Sequence, residues 1–370
     1  QDLGAMAKER AHRNILIIPT NGVGLGHAQR SSLVAKELSE KTSVQFAAFP
    51  GCAPLLRAKG FPVIPLVSKS PVHSEPYAND LLNYVRLKSL LKAGDRLVFD
   101  GAFVFDSIIR NIRELELDAT WIRRGLWQPG QIKKMPMERE NEFSRVIVPG
   151  EAFDELNTSY SFGSHVHAVG PIVQIDPIDV ATRKQRREQI SSFFMRKVKT
   201  LVVSMLGGGV AADRSAQIQS LCALAESEND CLHLMVVWPH AQISPNLGTW
   251  RNSKIVRTQN ALRLAQISDL TVSAAGYNSF HELLYHRVPT VFIPQMASYM
   301  DDQERRARSA SDRGLAVTVH PEDLFALRRE VKRLLRLDQR EDLIRSMEAE
   351  PLPAIGNSAA AKIVEVGHGL

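Results

Sequence analysis

Short runs of aliphatic and β-branched residues recur along the chain, and between them apolar positions return every three or four residues. In the first half the runs fall at 14–20, 43–49, 62–67, 96–100, 119–123 and 145–149. Helical periodicity lies between most of them, at 27–40, 78–92 and 104–114. Runs that are apolar on both faces predict parallel strands covered by helices. The second half repeats the rhythm, with strands predicted at 199–205, 231–238, 254–257, 270–273, 290–293 and 315–319. Its helices are predicted at 213–227, 260–268, 278–286, 301–312 and 322–336. A last segment, "GNSAAAKIVEVGHGL", has Asn357 or Ser358 as a cap and an apolar stripe. The stretch "HAVGPIVQIDP", 167–177, breaks the alternation with two prolines and a glycine, and reads as an interdomain linker. The expectation is an α/β chain of two doubly wound, Rossmann-like domains facing across a cleft: 1–172, then 173–352, then a terminal helix over 353–370.

Length agrees, since 370 residues predict two or three domains at roughly 150 residues each. Apolar residues make up 44% and charged residues 23%, enough for real cores. No apolar run approaches the roughly 20 residues that span a bilayer, and "NILIIP" is too short for the core of a signal peptide. Cys52, Cys222 and Cys231 are few and lack metal-ligand spacing, which points to buried thiols in a reducing, cytoplasmic setting. The net charge of +6 is spread along the chain, and no basic stripe carries interleaved aromatics. That excludes a nucleic-acid platform and leaves an acidic substrate or an anionic membrane surface as partners. Residues 78–92, "ANDLLNYVRLKSLLK", have two readings: a membrane-surface helix, or a buried domain helix, which is favoured.

In open α/β sheets ligands sit at the carboxyl ends of strands, so loops after strands carry the candidate chemistry. The first is "NGVGLGH". Its spacing is GxGxG rather than GxGxxG, no acidic residue ends the second strand, and no GK[ST] follows. Gly24 and Gly26 let the backbone approach a ligand, or make a tight turn. His27 then stands at the mouth of a helix. It is either a base for a hydroxyl nucleophile or a helix-start histidine bonded to backbone. A base needs an orienting partner, and Asp100, ending "RLVFD", is a better candidate than Asp106. Its alternative is a turn aspartate.

In the second half Gly207, Gly208 and Gly209 follow a strand. Their N–H groups suit phosphate oxygens, or the three make a flexible turn. Ser273, Ala274, Ala275 and Gly276 end another strand, and Tyr277 and Asn278 open the next helix. Such small residues let phosphates reach its N-terminus. Glu282, just over one turn in, can accept both hydroxyls of a ribose. Asp302 and Gln303 offer acceptors and a donor to vicinal hydroxyls, or form an acidic helix start.

The glycine loop ending in His27, with "SAAGYNSFHELL…P…DDQ", resembles the GT-B glycosyltransferases of family 28. These include the lipid-linked N-acetylglucosaminyltransferases of peptidoglycan synthesis and the galactolipid synthases. The resemblance covers most of the chain in layout. It implies a C-terminal domain that binds a nucleoside diphosphate sugar, with Gly207 to Gly209 and Ala275 to Asn278 along the diphosphate. It further implies Glu282 on the ribose, Asp302 with Gln303 on the sugar, and 257–262 framing the uracil. The N-terminal domain would bind the acceptor, with Gly24, Gly26 and His27 facing the diphosphate and the reacting hydroxyl, and the final helix would cross back to it. The sequence departs from the family at Leu25, where a further glycine is usual, and at Tyr277 and His281, where small or apolar residues are common.

The expected activity is therefore an inverting transfer of a hexose-type sugar from a UDP-sugar to a hydroxyl acceptor on a lipid, glycan or small molecule. The UDP-sugar is a co-substrate, with no cofactor and no metal, since no DxD-like pair stands at a strand end. Peripheral contact with the inner face of a membrane fits the basic charge. Three alternatives share parts of the pattern. A non-hydrolysing UDP-sugar epimerase needs an acid–base carboxylate pair, a nucleotide-sugar-binding subunit needs a partner, and a nicotinamide oxidoreductase needs the missing fingerprint.

Overall fold

A computed structural model describes residues 14–20, 25–68, 76–131, 137–158, 163–206, 213–239 and 248–366. The chain divides into two compact units, Gln1–Val173 with Pro353–Leu370, and Gln174–Leu352.

The first unit contains strands β1 (Ile15–Pro19), β2 (Val44–Ala48), β3 (Val63–Pro65), β4 (Arg96–Asp100), β5 (Asp118–Ile122), β6 (Arg145–Pro149) and β7 (Val166–Val169). Helices α1 (Gly26–Ser39), α2 (Ala53–Ala58), α3 (Pro76–Leu90) and α4 (Asp106–Leu115) alternate with the first five. All pairings are parallel, in the order β3-β2-β1-β4-β5-β6-β7. Ile15, Ile17, Ile18, Val98 and Phe99 are fully buried, which is why these runs lack alternation. The strand order reverses between β1 and β4, where Pro19 pairs with Asp100. A doubly wound sheet opens its ligand crevice at that reversal, beyond the carboxyl ends.

The second unit begins with α5 (Val180–Phe193) and holds β8 (Thr200–Met205), α6 (Ser215–Ser227), β9 (Cys231–Val237), β10 (Ser253–Arg257), α7 (Ala261–Ala265) and β11 (Leu270–Ser273). It continues with α8 (Tyr277–Tyr285), β12 (Thr290–Phe292), α9 (Gln303–Ser311), β13 (Val317–Thr318), α10 (Leu324–Leu334) and α11 (Leu337–Ala349). The order is β10-β9-β8-β11-β12-β13, all parallel, so the reversal lies between β8 and β11, where Met205 pairs with Ser273.

The last helix, α12 (Asn357–Val366), packs on α1 in the first unit. Two glycines make its approach possible. A Cβ on Gly170 would lie 2.1 Å from the Ala354 carbonyl oxygen, and one on Gly356 would lie 2.2 Å from that of Gly170. Asn357 then ties the return, its Oδ1 accepting from Val173 N at 3.0 Å and its Nδ2 donating to Val173 O at 2.9 Å.

The predicted linker is corrected at its start. Val166–Val169 is a strand paired with β6, so the irregular connection begins only at Gly170. The 78–92 prediction is also corrected, because α3 buries one face and not its whole apolar set. Leu87 and Leu91 point inward, and Asn83 bonds both backbone groups of Val67, while Leu81, Leu82, Val85 and Leu90 are exposed. No helix among the described residues is long and apolar enough to cross a membrane.

Candidate active site

In the first unit the reversal between β1 and β4 brings two predicted residues together. His27 is the second residue of α1, and Asp100 is the last residue of β4. His27 Nδ1 lies 2.9 Å from Asp100 Oδ1. The carboxylate is fully buried, while about a fifth of the His27 side chain remains accessible (21%). An ionised carboxylate only accepts, so it fixes the proton on Nδ1 and turns the Nε2 lone pair outward. Among the described residues nothing is hydrogen-bonded to Nε2.

A third member, Arg30, is not singled out by any signal in the sequence. It stands one turn beyond His27 on the same helical face, and its Nε and Nη2 donate to Asp100 Oδ2 and Oδ1 at 3.1 and 2.5 Å. Its Nη2 also lies 3.5 Å from His27 Nδ1. Both groups are donors there, so they are joint ligands of one carboxylate rather than partners of each other. Burial would raise the Asp100 carboxyl, but the charge of Arg30 and the bond from His27 outweigh it and hold the group below its ordinary range. Asp106, the weaker candidate, opens α4 and pairs with Arg139 at 2.7 Å. Gly26 begins α1, whose first turn has no side-chain cap. Gly24 lies outside the described residues, as do Gly207, Gly208 and Gly209.

In the second unit the predicted residues gather beyond β11 and β12. Ala275 and Gly276 link β11 to α8, and no side chain caps that helix. The first-turn N–H groups of a helix favour an anion. Gln303 is buried and its Oε1 accepts from Gln295 N at 3.0 Å, while its Nε2 stands 3.8 Å from where a Gly276 Cβ would be. An amide donor and a helix N-terminus thus meet at one glycine. Tyr277 and Asn278 are half-buried in the first turn of α8, and Glu282 is buried one turn on. Asp302 caps α9, its Oδ1 accepting from Arg305 N at 3.1 Å, so one of its oxygens has the helix-start role.

Arg306 also escapes sequence reasoning. It is 1% exposed, pairs with Asp301, donates to Ala275 O at 2.9 Å and lies 5.6 Å from the Tyr277 ring centre. It fixes the backbone just before α8. The two family departures in that helix have a packing reason. His281 is fully buried, its Nδ1 donates to Tyr277 O at 2.7 Å, and the two rings are 4.4 Å apart. Downstream of β10, Asn260 caps α7 within the segment expected to frame a base. The three cysteines are free and buried, and burial pushes Cys52 and Cys231 up to about 11. Among the described residues no group of three His, Cys, Asp or Glu side chains could hold a metal.

Against this geometry, residues 240–362 match the glycosyltransferase family 28 C-terminal domain. The sequences of curated proteins give no match. Solved structures similar to the whole chain include MurG of Acinetobacter baumannii, at 15% identity and TM-score 0.59, covering 95% of this chain and 99% of that one. The spinosyn rhamnosyltransferase SpnG complexed with thymidine diphosphate is similar at 14% identity and TM-score 0.59, covering 95% and 100%. LpCGTa in complex with UDP is similar at 15% identity and TM-score 0.60, covering 96% and 98%. Two parallel sheets, each with a reversal of strand order, and the likeness to these solved structures give the chain the GT-B fold, with a match to the family 28 glycosyltransferase C-terminal domain over 240–362.

Proposed function

We propose that the protein is an inverting glycosyltransferase that moves a hexose-type sugar from a UDP-sugar to a hydroxyl acceptor, with His27 as general base. The observation that carries this reading is the buried Asp100 carboxylate against Nδ1 of a histidine whose Nε2 is left for substrate. Nε2 takes the acceptor's hydroxyl proton as that oxygen bonds the anomeric carbon. The bond from that carbon to the β-phosphate oxygen breaks, and its electron pair leaves with UDP. Attack opposite the leaving group inverts the configuration. In the second unit, the N-terminus of α8 and the Gln303 amide meet the diphosphate and sugar, and Glu282 accepts from the ribose hydroxyls. Such preorganised donors contribute several kcal/mol, of the order seen for oxyanion sites.

No metal is needed in this scheme. The acidic pair nearest the site is committed to protein partners, Asp301 to Arg306 and Asp302 to the N–H of Arg305. A pyrimidine nucleoside diphosphate is supported by the UDP and thymidine diphosphate complexes of similar folds. The exposed Leu81, Leu82, Val85 and Leu90, with Arg86, Lys88 and Lys92 on and beside α3, support a lipid acceptor or contact with an anionic bilayer. Failure to sediment with anionic vesicles would remove that contact.

The test is transfer from UDP-sugars to a lipid extract, followed by the anomeric configuration of the product. The β-linked product from an α-linked donor is expected, with His27→Ala slowed roughly 10²–10⁴-fold. Retained configuration, or near-wild-type turnover by His27→Ala, would reject the mechanism.

A further inference from the structure

Arg214 stands immediately before α6, at its N-cap position, and is 3% exposed. Its Nη2 donates to Ile293 O at 3.2 Å. Its Nε is buried without any hydrogen-bond partner, and among the described residues no carboxylate lies within ion-pair distance of the guanidinium. Neighbouring Asp213 is turned to the helix instead, where its Oδ1 accepts from Ser215 N at 2.9 Å. Burial without a counter-charge brings the group down to about 10.

Three costs therefore fall on one side chain. A buried cation lacks its anion, a guanidinium N–H lacks an acceptor, and a positive charge sits at the positive end of a thirteen-residue helix. Of the other buried arginines, Arg340 has no ion pair among the described residues but donates to the carbonyls of Leu334 and Leu335, and the other three each have a carboxylate. Arg30 has Asp100, Arg123 has Glu140 and Arg306 has Asp301. An anion absent from the chain itself would relieve all three at once.

The position says which anion. Ile293, the acceptor of Arg214, directly follows β12, and its N–H bonds Ser273 O at the end of β11. Gln295, two residues on, donates its N–H to the Gln303 side-chain oxygen and donates through Nε2 to Leu206 O beyond β8, at 3.4 Å. Arg214 thus reaches the same corner of strand ends as Gly276 and Gln303, at the β8–β11 reversal where a doubly wound unit binds its ligand.

We propose that Arg214 is the counter-charge for the diphosphate of the nucleotide donor, and so for the charge that builds on the leaving group during transfer. This rests on the donor reading of the second unit, and the experiment separates the two. UDP and uridine are titrated calorimetrically against the wild-type protein, Arg214→Met and Arg214→Lys, and the melting of each is followed without ligand. Arg214→Met should bind UDP about 10- to 100-fold more weakly while uridine is held as before. Its unliganded Tm should equal or exceed that of wild type, because a cation without a partner has been replaced by an apolar chain. Arg214→Lys, which keeps the charge, should retain part of the UDP preference. If wild type binds UDP and both variants keep its UDP-to-uridine ratio, Arg214 does not meet the diphosphate. A lowered Tm with an unchanged ratio likewise overturns the proposal and leaves Arg214 a structural role. If wild type binds neither ligand, the donor reading itself fails.

Discussion

Replacing Asp100 with asparagine separates charge and tautomer from shape. The native carboxylate accepts from His27 Nδ1 at 2.9 Å and from Arg30 Nε and Nη2 at 3.1 and 2.5 Å. Asparagine has one acceptor oxygen and one donor nitrogen, and arginine can only donate. The amide oxygen must therefore turn to Arg30, and the NH₂ faces Nδ1. That moves the imidazole proton to Nε2 and removes the lone pair that would take the acceptor's proton. The loss in kcat should be roughly 10²–10⁴-fold, the size of general-base catalysis. The same change leaves Arg30, 7% exposed, without its anion. Breaking a buried pair costs about 3–5 kcal/mol, and the surviving Arg30–amide bond puts this case near the lower figure. For a domain of this size that is a fall in Tm of roughly 6–12 °C. The assay is UDP release from the donor with acceptor present, below the lowered midpoint, with UDP affinity as a control on the second unit. A variant that melts early yet turns over within about threefold of wild type would refute the dyad.

Two further predictions concern stability. His233 is fully buried between Ser204 and Ser253, and burial brings it down to about 4 from 6.5. The unfolded chain takes up a proton there below pH 6.5 while the native state does not. Stability of the second unit should therefore be fully present above that pH and fall by about 3 kcal/mol on approaching pH 4, read as the denaturant midpoint. No acid sensitivity between pH 6.5 and 4 would contradict it. Gly356→Ala should release α12 from α1, because its Cβ would meet the Gly170 carbonyl at 2.2 Å. Faster amide exchange across Asn357–Val366 is expected, and unchanged protection would show that the contact relaxes cheaply.

The sheets are legible in the sequence because strands such as "ILIIP" and "RLVFD" are buried on both faces, and parallel α/β packing is what hides such runs. His27 and Asp100 are legible for a related reason: each ends or follows a strand, where the fold collects ligands. What escapes is charge. Arg30, Arg214 and Arg306 lie in polar stretches that read as solvated helix surface, and only tertiary contacts reveal that all three are buried. Polar composition also hides α5 and α11. The first buries no residue of its own, and the second buries little beyond Arg340, Leu343 and Met347. The strand Val166–Val169 is masked by the glycine and proline that follow it. The apolar positions of α3 are legible as a set, but their division between inward and outward faces depends on what α3 packs against.

The central claim is that the second unit holds a uridine nucleotide through backbone amides and one carboxylate. Calorimetric titration of UDP into the wild-type protein and Glu282→Ala tests it most directly. Loss of a charge-assisted bond to the ribose predicts UDP binding weakened roughly 10- to 150-fold in the variant. Equal affinity in the two proteins, or no UDP binding by wild type, would contradict the account.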